Sequence, residues 1–336
     1  MKSARLLAAA LGDPGSTASL GPRQWTALIA AARAESLAGV LACRLEGEAL
    51  PAKVARILED ARRDHDHART QALWEAEMCR RALAPLGLPV ILLKGTAYAA
   101  AGLPAGRGRS IGDLDILVPQ EGLDRVEAAL LAAGWEWVKP DGYDDLYYRR
   151  WMHELPPLIH RDRDRMIDVH HTILPLTARP TPDAAALIAA SVELPNGLRV
   201  LAPADMVVHA ACHLFADGDI AGGLRNLWDI DRMLRDFGAR PGFWPELAER
   251  ARLHQLAGPV GRALRLAAKL YGTPVDAAVA GRAVPFDRLV EARLLARNGW
   301  GQTTGKALRF AFYLRSHWLR MPPLMLARHL WVKARR

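Results

Sequence analysis

The stretch KGTAYAAAGLPAGRGRSIGDLDILV, residues 94–118, starts at the end of one apolar run and finishes with another. The first run, LPVILLKG from residue 88, is continuously apolar and stops at glycine, which is typical of a buried strand. Residues 96–101 can form one or two helical turns, and residues 102–112 contain four glycines and predict a loop. Residues 114–118 predict a second strand. The stretch therefore predicts a strand, a short helix, a glycine-rich loop and a strand.

Two aspartates stand one residue apart at the start of this second strand. Alternation along a strand places Asp113 and Asp115 on one face, so both carboxylates can approach the same ligand. Neighbouring carboxylates repel each other, and a hard divalent cation such as Mg²⁺ relieves the repulsion. The pair taken alone also fits a strand edge with two solvated acids, because a short motif is weak support for a function.

Basic side chains and a third acid accompany the pair. Lys94 ends the first strand, while Arg107 and Arg109 lie in the glycine-rich loop, and such cations beside metal-binding acids suit a nucleoside triphosphate. Asp168 lies in the middle of the predicted strand MIDVH, where it shares a face with His170. Asp168 is the third candidate ligand, and a surface acid on a strand is the alternative.

The sequence contains three motifs in a fixed order: LLKG, then R-x-x-x-D-x-D followed by an apolar run, and then D-x-H. With this ordered set it resembles the nucleotidyltransferase superfamily with a polymerase-beta-like palm. It looks most similar to the uncharacterised bacterial nucleotidyltransferase family within that superfamily, over roughly residues 85–235. The resemblance implies that the D-x-D strand and the later acid bind two Mg²⁺ ions, with Mn²⁺ as an alternative. These catalytic and metal-binding residues are Asp113, Asp115 and Asp168.

The resemblance also implies a turn that holds the triphosphate. Two positions depart from the usual pattern: Thr96 stands where Gly or Ser is usual, and His171 replaces a Trp after D-x-H. Neither departure removes a proposed ligand. The implied phosphate-binding residues are Lys94, Gly95, Thr96 and Arg109.

A later helix carries H-x-x-x-H and is followed by a helix with R-x-x-x-D, as in the same family. His209 and His213 lack the glutamate of an HExxH zinc motif, so packing against the sheet is the favoured interpretation, with substrate contact and metal binding as alternatives. Arg225 and Asp229 have the spacing of an intrahelical ion pair. The candidate substrate contacts are His170, His209, His213 and Arg225.

The flanking sequence predicts helices on both sides of a small mixed sheet, which defines an α+β fold class. The expected regions are an N-terminal helical region (1–86), a nucleotidyltransferase palm (87–175), a C-terminal helical region (176–291) and a basic aromatic helical tail (292–336). Strands are expected at residues 135–139, 143–151, 153–160 and 166–171. His65 and His67 lie in a highly charged helix and are expected on its solvated face.

The charge is concentrated at one end of the chain. The net charge is +9, yet residues 292–336 contain ten Lys or Arg and no acid, so the remainder is nearly neutral. This distribution does not favour a nucleic-acid-binding surface. The tail is expected to pack on the body, with contact to a membrane surface or a protein as the alternative and contact to nucleic acid as the least favoured one. Three widely spaced cysteines, no signal peptide and no apolar span of membrane length favour a cytoplasmic protein, with peripheral membrane association as the alternative.

The sequence thus favours an enzyme that moves a nucleoside monophosphate from ATP, GTP, CTP or UTP to a hydroxyl of an unknown acceptor, a small molecule or a protein. A non-catalytic nucleotide-binding or accessory module of a biosynthetic assembly is the alternative. A degenerate module often lacks one of the acids, whereas this chain keeps all three. The basic tail alone suggests a third class, a membrane-associated enzyme of surface-polymer or peptide biosynthesis.

Overall fold

The computed structural model describes residues 3–138, 148–217, 219–320 and 326. The N-terminal part is helical, and its helices are α1 (Ser3–Gly12), α2 (Pro22–Ala34), α3 (Ala38–Arg44) and α4 (Ala52–Leu83). Pro22 occupies the first turn of α2, where a missing backbone N–H costs nothing. The 32 residues of α4 span about 48 Å at 1.5 Å per residue. This helix packs on α3, on the strand Leu114–Leu117 and on two short helices, Lys94–Ala100 and Leu123–Ala132.

The centre of the chain forms the sheet and its short helices. The elements in chain order are β1 (Ile91–Leu92), α5 (Lys94–Ala100), β2 (Leu114–Leu117), α6 (Leu123–Ala132), β3 (Trp135–Trp137), β4 (Leu158–His160) and β5 (Met166–His170). A further helix, α7 (Ala184–Ala189), precedes the hairpin of β6 (Val192–Glu193) and β7 (Arg199–Val200).

The strands form a mixed sheet in the order β3-β4-β5-β2-β1-β7-β6. Two neighbouring pairs, β2 with β5 and β1 with β7, are parallel, and the others are antiparallel. All four residues of β2 are buried, so this central strand is covered on both faces. The mixed sheet flanked by helices agrees with the expected α+β class.

The C-terminal part is helical again. Its helices are α8 (Pro203–Cys212), a π-helical turn (His213–Asp217), α9 (Gly223–Phe237), α10 (Phe243–Leu253), α11 (Ala257–Tyr271), α12 (Ala277–Ala280), α13 (Pro285–Leu294) and α14 (Lys306–Arg320). Helix α11 packs against α1, so the N-terminal and C-terminal helical parts are in contact. One continuous cluster of buried apolar side chains extends from Ala4 through the sheet to Phe312. The boundaries of the four expected regions stay a prediction, and these regions share one core.

One expected strand is wrong in the part that the structure describes. Residues 143–147 of the predicted strand 143–151 lie outside the described residues, and residues 148–151 are helical. The predicted strand 153–160 is shorter than expected, because only Leu158–His160 is a continuous strand. Residue 139 of the predicted strand 135–139 also lies outside the described part.

The basic tail packs on the body up to residue 320. The guanidinium of Arg297 donates to Glu35 across 2.7 Å, and that of Arg315 donates to the carbonyl of Phe215 across 2.9 Å. Phe312 is buried, whereas Phe310 and Trp318 are exposed. Arg297 and Arg315 of the tail therefore form hydrogen bonds with the body of the protein. Contact of the tail with a membrane or a protein stays a prediction.

Within the described residues, none of the helices combines the length and the apolar character needed to cross a bilayer. Cys43, Cys79 and Cys212 are free thiols.

Candidate active site

Two parallel strands bring the three candidate carboxylates together. Asp115 of β2 is paired in register with Asp168 of β5, and neighbouring residues in register point to the same face of a sheet. Asp113 precedes β2 by one residue, in a bend at the exposed end of the strand. The carboxylates interact strongly enough that Asp115 and Asp113 both raise the pKa of Asp168. The three candidate carboxylates thus lie close to one another at one end of the β2–β5 pair.

Asp115 is the most buried of the three acids and is held by two side chains. The Nζ of Lys94 donates to Oδ1 of Asp115 across 2.5 Å, and Nε2 of His170 lies 3.2 Å from the same oxygen. Burial raises the pKa of Asp115, but Lys94 and His170 outweigh it and hold this pKa well below its usual range. Burial likewise opposes the charge of Lys94, and Asp115 more than compensates, so the pKa of Lys94 is raised. Asp115 is therefore ionised at neutral pH.

The pKa values of Asp168 and Asp113 are shifted in the opposite direction to that of Asp115. Desolvation is the largest cause that raises the pKa of Asp168 to about 7, and the charge of Asp115 adds to it, while Lys94 opposes both. Desolvation and then Asp115 also raise the pKa of Asp113. A divalent cation stabilises carboxylates whose ionisation is opposed by burial and by the negative charge of neighbouring acids. The donor set, all carboxylate oxygen, suits Mg²⁺ or Mn²⁺.

Lys94 and Gly95 begin the short helix α5 directly after β1. Lys94 adopts a left-handed backbone conformation with φ 51°, an uncommon one for a residue with a side chain, and such strain occurs frequently at functional sites. Gly95 has a packing reason, because a Cβ at this position would overlap the guanidinium of Arg109. Thr96 is buried behind the turn. The turn predicted to hold phosphate therefore has its glycine because an arginine lies directly against it.

That arginine is held by a buried ion pair. Nε of Arg109 donates to Oδ2 of Asp229 across 2.7 Å, and both side chains are almost inaccessible to solvent. The guanidinium also lies over the ring of Tyr98, 5.7 Å from its centroid. The predicted ion pair of Asp229 was with Arg225 on its own helix, but the structure pairs Asp229 with the glycine-rich loop instead. A sequence pattern at i,i+4 could not reveal this competing partner, which lies 120 residues away.

A histidine of α4 fixes the same loop. The backbone N–H of Gly108 donates to Nε2 of His65 across 3.1 Å, so Nδ1 carries the proton and donates to the carbonyl of Arg109 at 3.0 Å. Gly108 has φ +74° and lies against the backbone of Gly39, where a Cβ would come within 2.5 Å of a carbonyl oxygen. The expectation that His65 is solvated is therefore wrong. His65 is buried because it binds the loop, whereas His67 is exposed as predicted.

The later helices approach the site from the C-terminal part. Burial lowers the pKa of His209 well below its usual value, and the positive charge of Lys94 acts in the same direction, so His209 is neutral. The charge of His213 also lowers that pKa, which places the two histidines near each other. Burial and then Arg109 lower the pKa of Arg225, while Asp229 raises it. Among the described residues, Nε of Arg225 has no hydrogen-bond partner.

Two residues beside the site were not predicted. His153 and Glu154 lie in a segment that pairs antiparallel with the end of β5, where the N–H of His171 donates to the carbonyl of His153 across 2.9 Å. Oε2 of Glu154 lies 3.4 Å from Nδ1 of His170, on the side of the ring opposite Asp115. The adjacent His-Glu in the sequence is a weak signal, because nothing local indicates that it pairs with the D-x-H strand.

Comparison with known proteins identifies a family for the chain. The sequence model of a family described as Uncharacterised nucleotidyltransferase matches residues 21–272, which include α2, the whole sheet and the helices up to α11. A search of curated proteins found no match. Because the match covers most of the chain and contains all three carboxylates, the protein belongs to this nucleotidyltransferase family.

Proposed function

We propose that the protein is a metal-dependent nucleotidyltransferase that moves a nucleoside monophosphate from a nucleoside triphosphate to an acceptor hydroxyl. The observation that carries the proposal is the register of β2 and β5, which pairs Asp115 with Asp168. With Asp113 one residue before β2, three carboxylates meet at one end of two strands. A purely structural role does not account for a buried acid, Asp168, whose pKa is raised by burial and further by Asp115 and Asp113.

The metal fits this site because its charge would replace mutual repulsion by attraction. Asp113, Asp115 and Asp168 would hold Mg²⁺, and two such ions are the expectation from the superfamily. The bound cations would withdraw electrons from the reacting phosphate and lower the pKa of the attacking hydroxyl. Below pH 7 the proton on Asp168 competes with the metal, since burial and Asp115 raise the pKa of Asp168 to about 7.

Lys94 provides positive charge on the phosphate side of the site. Its Nζ forms an ion pair with the carboxylate of Asp115, and its backbone begins the turn that Gly95 and Thr96 continue. We assign Lys94 to the phosphate oxygens of the nucleotide. Arg109 is assigned a positioning role, because Asp229 holds its guanidinium in the protein interior and Gly95 packs against it.

Asp168 is the residue assigned to the acceptor. Its carboxylate takes the proton of the acceptor hydroxyl as the oxygen attacks the α-phosphorus, and pyrophosphate leaves. The half-buried Arg225 and the neutral His209 are assigned to substrate contact, since the charges of the site act on both groups. His213 lies beside His209 and is assigned to the same surface.

The test is transfer from α-labelled nucleotides. The full-length protein is incubated with Mg²⁺, a cell extract as the source of acceptor, and each of the four α-³²P-labelled triphosphates in turn. Label is expected in a product with at least one nucleotide, and Asp113→Asn or Asp168→Asn should abolish it. Asp162→Asn is the matched control, because Asp162 is an exposed acid in the turn between β4 and β5 and should label like wild type.

Two outcomes would contradict the proposal. Undiminished labelling by Asp113→Asn would show that the acids are not the reactive centre. Binding of a nucleotide without transfer, in extracts from several growth conditions, would favour the non-catalytic nucleotide-binding module. Equilibrium dialysis with the same labelled nucleotides measures that binding.

A further inference from the structure

Three side chains of metal-ligating types lie together on the side of the His170 ring opposite Asp115. The cluster consists of His153, Glu154 and His170, and one ligand atom from each lies within 4.8 Å of the others. Oε2 of Glu154 is 3.4 Å from Nδ1 of His170 and 3.8 Å from Nε2 of His153. His153 and His170 are buried, while the side chain of Glu154 is 19% exposed and gives solvent access.

The hydrogen bond to Asp115 determines which nitrogen of His170 can bind a metal. Nε2 of His170 lies 3.2 Å from Oδ1 of Asp115, so Nδ1 is the ring nitrogen on the side of Glu154. Nδ1 lies 3.4 Å from Oε2 of Glu154. A metal ion between this nitrogen and the carboxylate would bind both of them. The ring is thus oriented with its metal-binding nitrogen toward Glu154.

The separations agree with a transition-metal site. Nitrogen and oxygen ligands at about 2.0–2.1 Å from a tetrahedral Zn²⁺ lie about 3.3 Å from one another. The distances of 3.4 and 3.8 Å need only small side-chain shifts to reach this value. Two imidazoles and one carboxylate are a donor set that suits Zn²⁺ and similar ions, whereas Mg²⁺ prefers oxygen ligands.

We propose that His153, Glu154 and His170 bind one divalent transition-metal ion of the zinc class, with water as the remaining ligand. This site is distinct from the three aspartates, because none of its ligands belongs to that set. The carboxylate–histidine–metal arrangement that it forms with Asp115 is one that orients ligands in many metal sites. The ion therefore acts as a positioning element: it fixes the ring of His170, and His170 fixes the carboxylate of Asp115.

The experiment measures binding of Co²⁺ and Zn²⁺ to the full-length protein in the presence of excess Mg²⁺. Wild type is expected to bind one equivalent of Co²⁺ with visible d–d absorption bands, and Zn²⁺ should displace it. His153→Asn should weaken this binding by about 100-fold, because it removes one of three protein ligands. His171→Asn is the matched control: it changes the neighbouring histidine, whose Nε2 lies 3.2 Å from the carbonyl of Met152 outside the cluster.

Equal affinity in wild type and His153→Asn, or no binding to wild type, would overturn the proposal. Should His153→Asn fail to fold, X-ray absorption at the zinc edge of the wild-type complex decides, since two imidazole ligands support the site and fewer overturn it. The result is independent of the nucleotidyltransferase proposal. Asp113→Asn should abolish transfer and retain zinc, so failure of either proposal can be recognised without the other.

Discussion

The raised pKa of Asp168 predicts that Mg²⁺ affinity depends steeply on pH around neutrality. Desolvation and the charge of Asp115 raise the pKa of Asp168 to about 7 in the metal-free protein, so the group is protonated below this pH. A protonated carboxyl is a poor metal ligand, and Mg²⁺ must displace the proton. Affinity should therefore fall as the pH falls, and binding near neutrality should release protons.

The size of the effect follows from the fraction of ionised Asp168. With a pKa of about 7, that fraction is about 0.9 at pH 8, about 0.5 at pH 7 and about 0.09 at pH 6. The apparent affinity for Mg²⁺ is then expected to fall about tenfold between pH 8 and pH 6. Asp113→Asn removes one of the charges that raise this pKa, so the midpoint of the pH dependence should move to lower pH.

Isothermal titration calorimetry measures both quantities. Titrations of Mg²⁺ at several pH values give the affinity, and titrations in buffers of different ionisation enthalpy give the number of protons released. The Asp162→Asn variant is the control, since this exposed acid lies outside the site. An affinity that is constant from pH 6 to pH 8, or that rises as the pH falls, would refute the argument. The same titrations on Asp168→Asn should give weaker binding with no dependence in this range.

Other expected outcomes concern the support of the glycine-rich loop. Asp229→Ala leaves the guanidinium of Arg109 buried without its counter-charge and should lower the free energy of unfolding by about 3–5 kcal/mol, as measured by urea denaturation. The double change Asp229→Leu/Arg109→Met should recover most of this loss. Equal destabilisation of the two variant proteins would contradict the prediction. Gly95→Ala forces the guanidinium of Arg109 away from the turn and should lower the free energy of unfolding by about 1–3 kcal/mol in the same assay. An unchanged denaturation midpoint would show that the turn has space for a methyl group. His65→Ala removes both hydrogen bonds to the loop and should lower the free energy of unfolding by on the order of 1–3 kcal/mol. The amide hydrogen of Gly108 should also exchange faster with solvent. Unchanged exchange at Gly108 would show that His65 does not hold the loop.

The order of elements could be predicted from the sequence because apolar periodicity is a local property. The expected strand at 114–118 corresponds to Leu114–Leu117, and the expected strand at 166–171 corresponds to Met166–His170. The strand expected up to residue 151 failed because residues 148–151 are helical, and alternation over a few residues does not distinguish a strand from a single helical turn.

The composition of the site could be predicted only in part. The acids were recognised by their order along the chain, but the register that pairs Asp115 with Asp168 joins residues 53 positions apart, and no local pattern encodes it. The same limit explains His65, whose charged surroundings indicate solvent although its partners are in a loop some 40 residues later. It also explains Glu154, which becomes relevant only because its segment pairs with β5.

Arg109 and Lys94, two cations near the candidate acids, differ in the carboxylate with which each forms an ion pair. Arg109 is bound to Asp229, a buried residue outside the carboxylate triad, so a substrate would have to break a desolvated pair to recruit this guanidinium. Lys94 is bound to Asp115, which belongs to the triad itself. A divalent cation held by Asp115 would compete with the ammonium of Lys94 for the same carboxylate and would leave that ammonium available to phosphate. If the protein binds a nucleotide as proposed, Lys94 is therefore better placed than Arg109 to contact it, and Arg109 is better suited to hold the turn in place.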